Sequence, residues 1–213
     1  MTEAFTITSS ALPSGTRVLG FRGTEGLSML YGFEVHLLVE DPAFDPAAAL
    51  GAVATFSIRA DERPLAFHGV LSALEIVNDL ARGAVVRAVL VPRLWRLTLT
   101  RHSRVFVKQS LPAILDAVLQ GAGMRPEDYA LKLTGTYGPL EHVCQYRESS
   151  FTFLSRRMER EGVYYFFEQG EDRERLIITD DRAVHDRLPS DPVRYYQVSG
   201  AGASGIELSL IHI

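Results

Sequence analysis

Hydrophobic and polar positions change their period along this chain, and the changes mark its elements. Phe5 and Ile7 alternate with polar neighbours, the period-two pattern of a strand with one buried face. Ser14-Gly15 marks a turn. Arg17–Gly23, with Val18 and Phe21 among its apolar positions, predicts a second strand. Gly23 and Gly26 punctuate a loop before a third strand at Tyr31–Val39. Asp41–Leu50 carries two Asp-Pro pairs, which favour extended or turn geometry before each proline. Pro46 can open a short helical turn through Leu50 that ends at Gly51. Val53–Arg59 predicts a strand and Asp61-Glu62 a turn. Pro64–Val77 reads as one long strand or a bent pair, with Gly69 as a bulge or a point of close approach. Asn78–Gly83 then reads as a hairpin loop leading to a buried strand, Ala84–Val91.

Beyond Phe106 the period shifts to 3.6 in two places. Ser110 precedes Leu111, Ile114, Leu115, Val118 and Leu119, the apolar face of a helix near 110–121. Pro112 is tolerated in its first turn, and Gly121 and Gly123 stop it. Tyr129–Leu133 predicts a strand and Gly135–Pro139 a loop. His142–Tyr146 is β-prone. Ser149 or Ser150 can cap a second helix, near 150–161, through its hydroxyl. Phe151, Leu154 and Met158 fall on one stripe of it, with Arg156, Arg157, Glu159, Arg160 and Glu161 on the other faces. Gly162 stands where a helix end favours positive φ. Val163–Phe167 and Arg175–Thr179 predict strands around a charged tip, Glu171 to Glu174. After Asp180 the pattern weakens; Pro189 and Pro192 mark an extended connection, and Tyr195–Val198 reads as a strand. The fold class is β-rich α+β, with short strands in antiparallel barrel-like sheets and two amphipathic helices packed on them.

Composition narrows the classes. The 213 residues are 46% hydrophobic and 23% charged, which supplies a sizeable core and argues against disorder throughout. A formal net charge of −4 argues against a general nucleic-acid binder. Arg93, Arg96, Arg101, Arg104 and Lys108 form a basic strip that reads as a solvated edge. The segment Pro92–Phe106, with the single tryptophan Trp95, reads as core. Cys144 stands alone, so no internal disulfide forms; it reads as a small buried hydrophobe. Met1–Ser10 has no continuous apolar region of a signal peptide, and no run approaches a membrane span.

Catalytic and metal chemistry finds no constellation. His36, His68, His102, His142, His185 and His212 are scattered, without the spacing of metal ligands. His142 and Cys144 would share a strand face, a weak nucleophile pair. Gly200 to Gly205 satisfies GxGxxG but lacks the βαβ context of a dinucleotide site. Glu171-Asp172 and Asp180-Asp181 read as solvated turns. No catalytic, cofactor or metal residues are therefore assigned. The consecutive aromatics Tyr164, Tyr165, Phe166 and Phe167 are more informative. Neighbours in a strand face opposite sides, so one aromatic face must meet a second layer or another subunit.

The stretch QYRESSFTFLSRRMEREGVYYFFE resembles "QYRESDFDFVSRLLEEEGIYYFF" of the VgrG proteins, the trimeric spike-tip proteins of the type VI secretion system. It is also similar to hub proteins of contractile phage tails. Tyr146, Arg147, Glu148, Phe151, Phe153, Glu161, Gly162, Tyr164, Tyr165 and Phe166 are among the matching positions. Phe21–Phe33, His68-Gly69 and Pro92–Phe106 carry further matches, so that the resemblance spans about residues 5–180. It implies two related β-barrel subdomains, residues 1–100 and 101–180, with 181–213 an incomplete C-terminal segment. The family's hub continues into an oligonucleotide-binding-fold neck and a β-helical spike, so a truncated hub is expected. The implied role is structural and not enzymatic: a homotrimer when full length, docked on the ring of the Hcp tube and contacting baseplate proteins and effectors. Cytoplasmic assembly, followed by secretion through the type VI apparatus without a signal peptide, is implied as well. A contractile phage tail baseplate hub is the alternative.

Overall fold

Six strands form a sheet that nearly closes on itself: β1 (Phe5–Thr8), β2 (Arg17–Thr24), β3 (Gly32–Val39), β4 (Val53–Ala60), β5 (Arg63–Leu80) and β6 (Gly83–Val91). Their order is β1-β4-β5-β6-β3-β2, and every pairing is antiparallel. The two edge strands return to each other, with the rings of Phe5 and Phe21 edge-to-face at 5.0 Å. This computed structural model describes residues 4–60 and 63–185, with Ala60, Arg63 and Pro64 described by backbone alone. The expected turn at Asp61-Glu62, strand at Tyr195–Val198 and loop at Gly200–Gly205 lie outside the described residues. The chain divides into two units, Met1–Asp181 and Arg182–Ile213; the described part of the second holds one 3₁₀ turn, Arg182–Val184.

The alternation of β3 is strict. Phe33, Val35, Leu37 and Val39 are buried, while the residues between them face outward. These side chains, with Phe56, Leu71, Val86 and Leu90, fill a first core. α1 (Pro46–Ala49) covers one part of it, capped by Asp45, whose carboxylate accepts from the amide of Ala47 at 2.9 Å. β5 bends by register shifts between Leu71 and Ala73 and between Ile76 and Asn78. Gly69 is therefore not a bulge. It is a close approach, since a Cβ there would lie 2.2 Å from the carbonyl oxygen of Val91. The hairpin loop is shorter than expected, because pairing continues through Leu80 to Gly83.

A second core lies between the 3₁₀ turn Arg93–Thr98, β7 (Arg101–Gln109), α2 (Leu111–Gly121), β8 (Tyr129–Lys132), β9 (Leu140–Ser149), α3 (Ser150–Arg160), β10 (Tyr164–Gln169) and β11 (Glu174–Thr179). β7 and β9 form a two-stranded ribbon. β10, β11 and β8 form a three-stranded sheet in which β8 and β11 run parallel, an exception to the antiparallel rule. The predicted apolar face of α2 is buried at all five positions. Ser110 occupies its N-cap, but the hydroxyl makes no capping bond; its carbonyl accepts from Ile114 instead. Trp95 is only half-buried. The three-residue repeat of the 3₁₀ turn aligns Leu94 with Leu97 on the inner side and leaves Trp95 beside them.

Phe167 packs against both cores, its ring edge-to-face with Tyr31 at 5.0 Å. A polar seam runs beside it. The buried His68 ring contacts Thr55 Oγ1 at 2.9 Å through Nδ1 and the Gly170 carbonyl at 3.0 Å through Nε2. The His68 amide donates to Gln169 Oε1, and the Tyr31 hydroxyl donates to the His68 carbonyl. Arg93 belongs to the same junction. Its amide donates to Glu174 Oε1 at 2.8 Å and its guanidinium to Asp128 Oδ1 at 3.0 Å. Glu174 is thus buried and not part of a charged tip, and Arg93 does not lie on a solvated edge. Arg104 leaves that edge too, donating to Gln145 Oε1 and Ser150 Oγ; Arg96, Arg101 and Lys108 are exposed as expected.

Asp180 corrects another reading, for its carboxylate organises a loop. It accepts from the Thr134 amide at 2.8 Å, the Thr134 hydroxyl at 3.0 Å, the Gly135 amide at 2.7 Å and the Tyr137 hydroxyl at 2.8 Å. These donors, the Thr134 amide foremost, hold its carboxyl well below the usual carboxylate range. A depressed folded pKa contributes stability above the unfolded value and loses it as pH falls. Asp180→Asn is expected to lower unfolding free energy at pH 7 by about 1–2 kcal/mol, allowing for partial exposure. Urea titrations should show the gap to wild type narrowing as pH falls below about 4.

Candidate functional site

Parity along the β7–β9 ribbon decides what it presents. Phe106, Val143 and Gln145 point inward and are buried. Val105 pairs with Cys144 and Val107 with His142, so these four share the outer face with Tyr146. Val105, Val107 and Tyr146 are 51%, 55% and 65% exposed. Cys144 is likewise exposed, which corrects its reading as a buried hydrophobe: its neighbours Val143 and Gln145 take the inward positions. The outcome is an apolar strip on solvent, the kind of surface that marks an interaction site.

The ends of this strip are basic and conformationally strained. Arg147 adopts φ 48° and Lys108 φ 52°, the left-handed region that non-glycine residues seldom occupy. Each costs on the order of 1 kcal/mol or more and persists only where the surroundings over-determine it. At Arg147 the cause is visible. The ribbon slips register between His102 and Arg104, and the Arg147 amide donates to Ser103 Oγ. The Arg147 guanidinium then lies 5.3 Å from the centre of the Tyr146 ring.

α3 braces the ribbon from behind. Ser149 caps it, its hydroxyl accepting from the Thr152 amide at 3.0 Å. Arg156 reaches back with Nη2 to Glu148 Oε1 at 2.6 Å, with Nε to Oε2 at 2.9 Å, and with Nη2 to the Cys144 carbonyl at 2.8 Å. This fork holds the Glu148 carboxyl below its ordinary value. Phe153 is fully buried and stacks on Phe106 at 5.6 Å, with the Arg156 guanidinium 5.2 Å from its ring centre. The buried face of α3 is Phe153, Leu154, Arg157 and Met158, with Phe151 half-buried. The predicted stripe is displaced because the helix meets the ribbon as well as the hairpin sheet. Gly162 follows at φ 69°, as its position predicts.

The remaining motif residues sit elsewhere. Tyr165 is buried and its hydroxyl has no hydrogen-bond partner; burial pushes that phenol up to about 12. On the opposite face of β10, the Tyr164 hydroxyl donates to the Asp181 carbonyl, and Phe166 lines a groove with Leu27 and Met29. Glu161 lines an open cleft of about 420 Å³ with the 134–138 loop and Asp180, 3.7 Å from Arg160. The motif thus divides between a ribbon–helix corner, Tyr146 to Phe153, and the hairpin, Tyr164 to Phe166. Sequence reasoning passed over the two valines of β7, although their alternation with Arg104, Phe106 and Lys108 carried the signal. Among the described residues no group of three or more His, Cys, Asp or Glu side chains is arranged to hold a metal. No helix there is long and apolar enough to cross a membrane.

A nearly closed sheet joined to a helix-braced ribbon, with chemistry spent on surfaces and not on a pocket, defines a structural module of the contractile-tail hub kind. The family model "Phage tail baseplate hub (GPD)" matches residues 24–212, and the chain belongs to that family. It is 33% identical over 189 residues to the type VI secretion system spike protein VgrG1b of Pseudomonas aeruginosa, covering 86% of this chain and 25% of that protein. VgrG1a of the same organism is 35% identical over 164 residues, covering 76% of this chain and 25% of the relative. The chain therefore spans about a quarter of the length of these relatives. Among solved structures, the E. coli c3393 protein, a component of the type VI secretion system similar to T4 bacteriophage tail proteins, superposes with a TM-score of 0.80 at 28% identity. That likeness covers 87% of this chain and 52% of the other. A 43 kDa prophage tail protein of Shewanella oneidensis shares the fold, with a TM-score of 0.52 at 14% identity over 77% of this chain and 52% of that one.

Two substitutions separate core from surface in this corner. Phe153→Ala is expected to cost about 3–5 kcal/mol, since a fully buried aromatic leaves a cavity. Glu148→Gln, which weakens a partly exposed pair, should cost about 1 kcal/mol or less. Thermal and urea unfolding measure both, and the reverse ranking would contradict the assigned burial.

Proposed function

We propose that this chain is the hub module of a type VI spike tip, which docks on the ring of the Hcp tube and helps carry effectors into target cells. The observation that carries the reading is the exposed apolar strip of Val105, Val107 and Tyr146, set on a ribbon braced by α3 in a member of the baseplate hub family. Its mechanism is force transmission through interfaces and not catalysis. In this reading the full-length protein is a homotrimer, and the subdomains expected over residues 1–100 and 101–180 contribute one contact position each, so that three chains supply six positions to a six-fold tube. Assembly occurs in the cytoplasm, and export follows through the apparatus itself. A baseplate hub of a contractile phage tail is the second reading, favoured by the description of the matching family; there the same strip would meet a tail tube.

The test is capture of purified chain by immobilised Hcp rings, with phage tail-tube rings alongside. Binding to Hcp that falls at least tenfold in a Val105→Asp, Val107→Asp double variant of unchanged melting temperature is the expected result. Capture by tail-tube rings alone selects the second reading, and binding indifferent to the double variant would remove the ribbon from the interface.

A further inference from the structure

Arg157 is the anomaly of α3. Only 7% of its surface is exposed, and its Nε is sealed from solvent with no hydrogen-bond partner. No ion pair to it occurs among the described residues. The neighbouring cations are already committed: Arg156 grips Glu148 and the Cys144 carbonyl, and Arg160 lies 3.7 Å from Glu161. Arg104, also partly buried in this module, has Gln145 and Ser150 as acceptors. Arg157 has no such acceptor, and burial, reinforced by Arg160 and Arg156 and only partly offset by Glu161, disfavours its charge. A guanidinium cannot escape by losing its proton, as a buried lysine can.

A guanidinium N–H sealed from water without an acceptor is costly to a fold. An anion at the guanidinium would supply the acceptor that the sealed Nε lacks. We propose that Arg157 is a receptor for a carboxylate, contributed by the Asp or Glu side chain of a docking protein or by a small organic acid. The planar fork matches a carboxylate at two points, and the little surface that Arg157 keeps suits a narrow side-chain tip. One turn earlier on the same helix, Phe153 stacks on Phe106 of the ribbon, so the receptor belongs to the module that carries the exposed apolar strip.

The experiment compares wild type with Arg157→Leu, using two probes: sodium citrate and the capped tripeptide acetyl-Ala-Glu-Ala-amide. Each is titrated against sodium chloride at matched ionic strength, so that general salt effects cancel between the two chains. Arg157→Leu alone should melt higher than wild type. At saturation the probe that fits should raise the wild-type melting temperature by about 2–4 °C more than that of the variant. In wild type, the arginine Nε–H resonance that vanishes in Arg157→Lys should shift saturably with the same probe, a readout that needs no stable leucine variant. A stronger response to the peptide assigns the site to a protein partner, and a stronger response to citrate to a small acid. Equal increments in both chains, or an Nε–H resonance that neither probe moves, would overturn the assignment. Failure of Hcp capture would leave these readings untouched, because none of them uses the tube.

Discussion

Phe167 belongs to two cores at once, and the fold depends on that shared position. Its ring meets Tyr31 from the first sheet while its strand carries Tyr165 into the second core. An aromatic of this size contributes most when both sides are closed, so each core stabilises the other through it. The polar seam keeps the two in register. His68 donates its amide across to Gln169, and its ring spans Thr55 and Gly170. Buried polar groups tolerate little displacement, because a broken bond leaves a desolvated partner behind. Burial accordingly pushes the Tyr31 phenol far above its ordinary value, so that it remains a donor to the His68 carbonyl. Apolar contact supplies the strength of this junction, and the hydrogen bonds supply its specificity.

A junction of this kind suits the force-bearing role proposed above. Two sheets joined by flexible linkers would shear under load; two sheets sharing a side chain and a set of buried bonds move as one. Arg93 makes the same point from the other side. Its backbone and guanidinium both end on acids of the second core, Glu174 and Asp128, just after β6 leaves the first sheet. The crossing between cores is thus pinned on both of its strands.

The fold was legible wherever one periodicity ruled. The alternation of β3 and the five-residue face of α2 translated directly into burial. Legibility failed where a residue's fate depended on distant partners. Nothing near Arg93, Glu174 or Asp180 in the chain reveals that each will meet acceptors or donors dozens of residues away. Cys144 was misread for a different reason. Its residue type favours burial, but strand parity, fixed by Val143 and Gln145, overrides that preference. The candidate surface was half legible: the motif around Tyr146 was plain from the resemblance, whereas its partnership with Val105 and Val107 required the β7–β9 register.

That register also explains the strain at Arg147. A two-stranded ribbon has no neighbours to share a mismatch, so the extra residue of β9 opposite Ser103 must be absorbed locally, and Arg147 takes up left-handed backbone to absorb it. Tyr146 faces outward by alternation with Gln145, and the Arg147 guanidinium lies at its ring. A glycine at this position would relieve the strain but would remove the cation that stacks on the exposed aromatic. Arginine there trades local stability for a surface that is apolar at its centre and positive at its end, and Lys108 on the other strand shares the left-handed backbone. A domain selected for stability alone has no reason to hold two such residues on one exposed ribbon; a domain whose ribbon meets a partner does.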